Sequence, residues 1–194
     1  MRLSAEYFAA LEASKRHHAS NKTFSGRFLR PHAPFIKEII DRLGCTSILD
    51  YGCGKGAQYT WRNTDPAGAI PVGMTIEEFW GVEVTKFDPA YPPFAAEPTG
   101  TFDLVICTHT LGSIPVRDLP VIVDRLYSLA NKALYIAEKL APVKKQVFDR
   151  PDLHPFEWDA KRWVAALKRE TSIEAVLSIR EQRAAGVVVE RLKL

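Results

Sequence analysis

The chain has 194 residues, 46% of them hydrophobic and 25% charged, with a formal net charge of +3. That size and balance are enough to bury one core unaided, and they exclude a disordered, collagenous or membrane-embedded chain. Cys45, Cys53 and Cys107 are odd in number and lack CxxC spacing, so neither a disulfide framework nor a zinc cluster is expected. The opening MRLSAEYFAALEASKRHH has no uninterrupted apolar stretch, and no apolar run reaches bilayer length. A soluble, cytoplasmic protein is the expectation, with no membrane partner. Charge is uneven: residues 1–45 carry eight Lys/Arg against four Asp/Glu, while residues 46–137 carry six against ten. A basic arm of this kind either draws an anionic partner or is a solvated helix face, the commoner meaning of a charge run.

In chain order, Ala5–Ser14 reads as a helix, Asn21–Pro31 as a turn around Ser25-Gly26, and Ala33–Leu43 as a second helix with Ile36, Ile39, Ile40 and Leu43 on one face. Thr46–Tyr51 is a short apolar strand running straight into glycines. A brief helix is expected from Gln58 to Trp61, a loop over Asn63–Met74, one helical turn over Thr75–Trp80 and a strand over Val82–Phe87. Ala90–Gly100 holds three prolines and is expected to be irregular. Phe102–Thr108 is the clearest buried strand. After it come a helix over Asp118–Ala130 with Pro120 in its first turn, a strand over Ala133–Ala137 and a helix over Glu157–Arg169. Two closing strands, Ile173–Ile179 and Val187–Leu192, are joined by a connection too short for a parallel crossover. Alternating strands and helices predict a mostly parallel α/β sheet ending in an antiparallel hairpin.

The chemistry concentrates in Asp50-Tyr51-Gly52-Cys53-Gly54-Lys55-Gly56. Glycines at a strand's end allow unusual backbone angles and let a ligand approach the main chain, and open α/β sheets bind ligands at that edge. Gly52, Gly54 and Ala57 also satisfy the permissive dinucleotide pattern GxGxxA. That reading wants an acidic residue about twenty positions on, closing the second strand. Only Glu77 and Glu78 lie near that distance, in an expected helix. Asp50, two residues before the first glycine, would face a pyrophosphate; a carboxylate there suits a cationic ligand better. Cys53 reads as a small buried residue rather than a nucleophile.

SILDYGCGKGAQ resembles motif I of the class I methyltransferases, a hydrophobic strand followed by (D/E)xGxGxG. FDLVICTHTLGSIP resembles the same family's fourth-strand motif, commonly FDxVxxxxVLEHIP, with Gly112-Ser113 where Glu-His is frequent. Between them VEVTKFDPAY supplies Asp88 at the end of the second strand. The combination LDYGCGKG, FDPA and FDLVICT also resembles that of small, poorly characterised methyltransferase-like proteins of bacteria and phages. The resemblance implies a single domain over 1–194, with 1–44 a helical N-terminal cap and 45–194 the core. Its fold would be a three-layer Rossmann-like sheet. Only thirteen residues lie between Asp88 and Phe102, so the usual third strand is expected to be missing or reduced.

The resemblance further implies S-adenosylmethionine as cofactor. Asp50, Tyr51, Gly52, Gly54 and Lys55 would hold it along the turn, Asp88 on the ribose hydroxyls, Thr108 and His109 near its reactive face, and Phe24, Ser25 and Gly26 folded over it. His109 and His154 are the candidate catalytic bases, with Glu138 a third. Asp88-Pro89-Ala90-Tyr91 looks like the DPPY motif of enzymes that methylate amino groups of nucleic acid bases, but it precedes the fourth strand and is read as the ribose site. His17-His18 with Lys15, Arg16 and Lys22 either recruits an anion or is solvated. The expected function is methyl transfer to a small molecule or biopolymer. Its alternatives are a SAM-binding protein with other or lost catalysis, and a nucleic-acid-binding module using the basic arm.

Overall fold

The computed structural model describes residues 2–19, 24–140, 158–181 and 192–193. The elements are α1 (Ala5–His18), α2 (Ala33–Leu43), β1 (Ile48–Tyr51), α3 (Ala57–Thr60), α4 (Ile76–Trp80), β2 (Val84–Phe87), β3 (Phe102–Thr108), α5 (Leu119–Leu129), β4 (Ala130–Leu140), α6 (Ala160–Leu167), β5 (Glu174–Glu181) and β6 (Leu192–Lys193). Short 3₁₀ turns cover Arg27–His32, Pro92–Phe94 and Leu111–Ser113.

The strands form one sheet in the order β2-β1-β3-β4-β5-β6. The first five run parallel, and β6 pairs antiparallel with β5 through Val176↔Lys193 and Leu177↔Leu192. This is the expected Rossmann-like sheet with its antiparallel close. The third strand is absent where expected: between β2 and β3 the chain makes only the Pro92–Phe94 turn, and β2 is left at the sheet's edge. Because the chain goes from β1 to β2 on one side and then crosses back to β3 on the other, the strand order reverses at β1. The carboxyl ends of β1 and β3 therefore flank the crevice in which such sheets bind ligands.

Side-chain alternation builds three layers. On one face Leu49, Tyr51, Phe87, Val105, Cys107, Leu134 and Ile136 pack with α5 and α6, whose Trp163 and Leu167 are fully buried. On the other, Ile48, Val84, Leu104, Ile106, Ala133 and Tyr135 pack with α2 and α4 through Ile36, Ile40, Ile76 and Trp80. Asp50 shares this second face by parity and Tyr51 does not.

Several boundaries differ from the sequence reading for identifiable reasons. Helix α1 runs a full turn beyond Ser14 because Lys15, Arg16, His17 and His18 suit the negative end of the helix dipole. Its other end is tied down: Ser4 caps Tyr7 and also donates its N–H and hydroxyl to the buried carboxylate of Asp118, before α5. The segment before α2 coils into a 3₁₀ helix rather than an open turn, with Gly26 at φ +80° starting it. Strand β4 begins directly at the end of α5 and is longer than expected. The expected connection after Glu181, which itself ends β5, and most of Val187–Leu192 lie outside the described residues.

Candidate functional site

The turn after β1 is shaped by left-handed residues. Gly52 and Gly54 take φ of +83° and +61°. A Cβ at Gly52 would collide with the Thr110 side chain, and one at Gly54 with the Phe24 carbonyl. The turn's N–H groups are all engaged within the protein. Gly52 and Cys53 donate to the Phe87 carbonyl (2.7 and 3.1 Å), Gly54 to Asp88 Oδ2 (2.9 Å), Lys55 to the Phe24 carbonyl (2.8 Å), Gly56 to the Cys53 carbonyl (3.2 Å) and Ala57 to the Ser25 carbonyl (3.0 Å). A pyrophosphate binds such a turn through free N–H groups at the strand–helix junction. Here those donors already have acceptors, which removes the dinucleotide reading on physical grounds.

What the turn offers instead is acceptors. Asp50 is buried, and its Oδ2 accepts from Tyr59 Oη (2.7 Å) and Gln58 Nε2 (3.2 Å). Its Oδ1 and the Oε1 of Gln58 are buried with no partner among the described residues. Burial, helped by the nearby charge of Asp88, raises the Asp50 carboxyl to about 7, against the pull of Tyr59 and Gln58. Asp88 takes one N–H on each oxygen, from Gly54 on Oδ2 and from Ala90 on Oδ1 (both 2.9 Å), leaving lone pairs on both.

These groups line a cavity of about 500 Å³ at the carboxyl edge of β1, β2 and β3. Its roof is one face of α1, with Tyr7, Ala10, Leu11, Ser14 and His18 at helical spacing. Its walls are 24–28, the glycine turn, 88–90, 108–110 and 113–114, and among the described residues Asp50, Asp88 and Arg27 are its Asp, Glu, Lys or Arg side chains. His109 ends β3 in the left-handed region (φ +54°), held by its N–H on the Ala137 carbonyl (2.7 Å). Its ring faces Phe28 at 4.9 Å and His32 at 6.0 Å, and His32 Nδ1 lies 2.9 Å from Tyr135 Oη. A strained non-glycine residue on a cavity wall marks a position worth functional attention.

Of the residues singled out in the sequence, Asp50, Gly52, Gly54, Asp88, Thr108 and His109 meet on this cavity, as do Phe24, Ser25 and Gly26. Tyr51 does not: it turns into the opposite core and packs on Phe87 at 4.9 Å, as strand alternation requires. Lys55 lies in the turn but off the cavity wall, and Glu138 stands behind the wall, where its Oε1 accepts from the N–H groups of Thr110 (3.1 Å) and Leu111 (2.8 Å). His154 lies outside the described residues. Sequence reasoning missed Gln58, Tyr59 and His18. Gln58 and Tyr59 follow the turn directly, and a glycine turn that folds a short helix back under its strand is the signal that would have paired them with Asp50. His18 sits in a run that reads as solvated, and nothing local marks it as buried. Three of the arm's eight Lys/Arg, Lys15, Lys37 and Arg42, are paired with Glu12, Asp41 and Glu174.

A family model described as a methyltransferase domain matches residues 6–158, and the chain belongs to that family. It is a methyltransferase with the Rossmann-like fold. Neither a curated protein nor a solved structure matches it. No helix among the described residues is long and apolar enough to cross a membrane.

Proposed function

We propose that this methyltransferase uses S-adenosylmethionine and transfers its methyl group to a small-molecule acceptor. The observation that carries the cofactor is a pair of buried oxygens with no partner among the described residues, Asp50 Oδ1 and Gln58 Oε1, at a turn whose N–H groups all have acceptors. Buried acceptors of this kind call for a cation or a donor, and an α-ammonium supplies both. Asp88, with a lone pair on each oxygen, suits a ribose diol. Lys55 contributes through its main chain, which holds Phe24 in place, and Tyr51 as part of the turn's frame.

When bound, the cofactor supplies an electrophilic methyl group on a sulfonium. The chain's own share is positioning and water exclusion under the α1 roof. In this reading Thr108 and His109 flank the reacting end, and His109 takes the acceptor's proton at a ring nitrogen. A roofed cavity of about 500 Å³ favours a small acceptor over a biopolymer.

Calorimetry with S-adenosylmethionine and S-adenosylhomocysteine tests the cofactor. Both are expected to bind and NAD is not; silence from both at sub-millimolar ligand overturns the assignment. Asp88→Ala is expected to abolish binding, while Glu77→Ala leaves it intact.

A further inference from the structure

His18 is a buried, partly unpartnered group that the cofactor reading leaves unassigned. Its ring is sandwiched between Phe24 (4.9 Å, 28° between planes) and Tyr91 (5.3 Å, 24°), which fixes its orientation. Nε2 faces Asp88 Oδ1 at 3.7 Å, and Nδ1 is buried with no partner among the described residues. The ring lines the same cavity as Asp88. A buried ring nitrogen left unbonded forfeits a hydrogen bond, and a stacked ring cannot swing out to find water.

Building on the cofactor reading, we propose that His18 is a cofactor-binding residue: Asp88 favours the proton on Nε2, and Nδ1 accepts a hydrogen bond from an amino or hydroxyl donor of the adenosine half. Helix α1 is then part of the binding site as well as its roof. Burial depresses the His18 pKa below its ordinary value, Lys55 acting in the same direction and Asp88 against it. The ring is therefore neutral at pH 7, and its contact with Asp88 is not an ion pair. The groups facing it are Asp88 after β2, Lys55 in the glycine turn, and the rings of Phe24 and Tyr91. Protonation would convert Nδ1 from acceptor to donor, so the bond is present at neutral pH and lost as pH falls through the depressed pKa.

Calorimetry with 5′-methylthioadenosine, which lacks the amino-acid half, isolates this contact from the titration of Asp50; S-adenosylhomocysteine serves as the companion probe. His18→Phe keeps the ring stack and removes the acceptor. It is expected to weaken both ligands about fivefold to tenfold, roughly one hydrogen bond. Wild-type affinity for 5′-methylthioadenosine should hold down to His18's ordinary pKa of 6.5 and fall only below it, and the variant should lack that fall. His18→Asn, which can present an amide oxygen, should recover part of the loss. If His18→Phe binds both ligands as the wild type does, the assignment of His18 is wrong while the cofactor reading stands. If the wild type binds neither ligand, both fall together. Should the variants not fold, ¹⁵N NMR of wild-type protein decides: the Nδ1 resonance of His18 must move on saturation with 5′-methylthioadenosine, and an unmoved resonance overturns the proposal.

Discussion

Asp50 and Glu138 stand on strands either side of β3, both almost wholly buried, and burial raises both carboxyls, to about 7 and about 8. Their oxygens are used differently. Glu138 Oε1 receives the N–H groups of Thr110 and Leu111 and so pins the turn that carries His109. Asp50 Oδ1 has no partner among the described residues, nor does the Oε1 of Gln58, whose amide nitrogen donates to Asp50 Oδ2. A shifted carboxyl therefore does not by itself identify a ligand site. What separates the two regions is whether the protein has completed the group's hydrogen bonds.

The broadest test is stability against pH, where the two carboxyls should behave alike. Unfolded Asp50 ionises near 3.8 and folded Asp50 near about 7, so its contribution is lost as pH rises through that interval. Glu138 loses its own between 4.5 and about 8. Each shift corresponds to a total loss on the order of 4 kcal/mol. Denaturant melts of ligand-free protein across this range should show stability falling with pH, and Asp50→Asn or Glu138→Gln should each flatten the slope. A flat wild-type profile would show that neither carboxyl is shifted.

Ligand affinity should then split them. Asp50→Asn is expected to weaken S-adenosylmethionine about 100-fold by calorimetry, the loss of a buried charged partner. Glu138→Gln should stay within about twofold, since its amide oxygen still receives both N–H groups. Equal losses would break the comparison. Glu138→Ala removes that oxygen and is expected to lower stability by about 2 kcal/mol in urea melts at low pH, by leaving the Thr110 and Leu111 N–H groups unpaired. The smallest effect is that of Phe24→Ala, a loss of a few-fold in cofactor affinity, about 1 kcal/mol from the missing ring contact with His18. Unchanged affinity would remove Phe24 from the site.

How much of this was legible depended on whether the information was local. FDLVICT alternates between two buried faces and emerges as β3 over the expected residues; the stripe Ile36, Ile39, Ile40 similarly delivers α2. Short spacing betrayed the missing third strand. Asp50, the glycines and Asp88 were readable because a turn and a strand end are local events. The 3₁₀ segment Arg27–His32 was not, since Gly26 and Pro31 read equally well as an open turn. Nor was the burial of His18, which depends on Phe24 and Tyr91 closing around it from two other parts of the chain. Tyr51 shows the converse: its neighbours in sequence border the cavity, but strand parity turns its side chain away.

The two carbonyls that Phe24 and Ser25 lay on the N–H groups of Lys55 and Ala57 have a consequence for the chain's architecture. They make residues far upstream of the nucleotide-fold core the counterpart of its glycine loop. With them in place the outer end of the loop has no bare amide hydrogen at Lys55 or Ala57. A protein truncated ahead of α2 would lose both acceptors, so the N-terminal segment completes the loop's hydrogen bonding as well as walling the cavity.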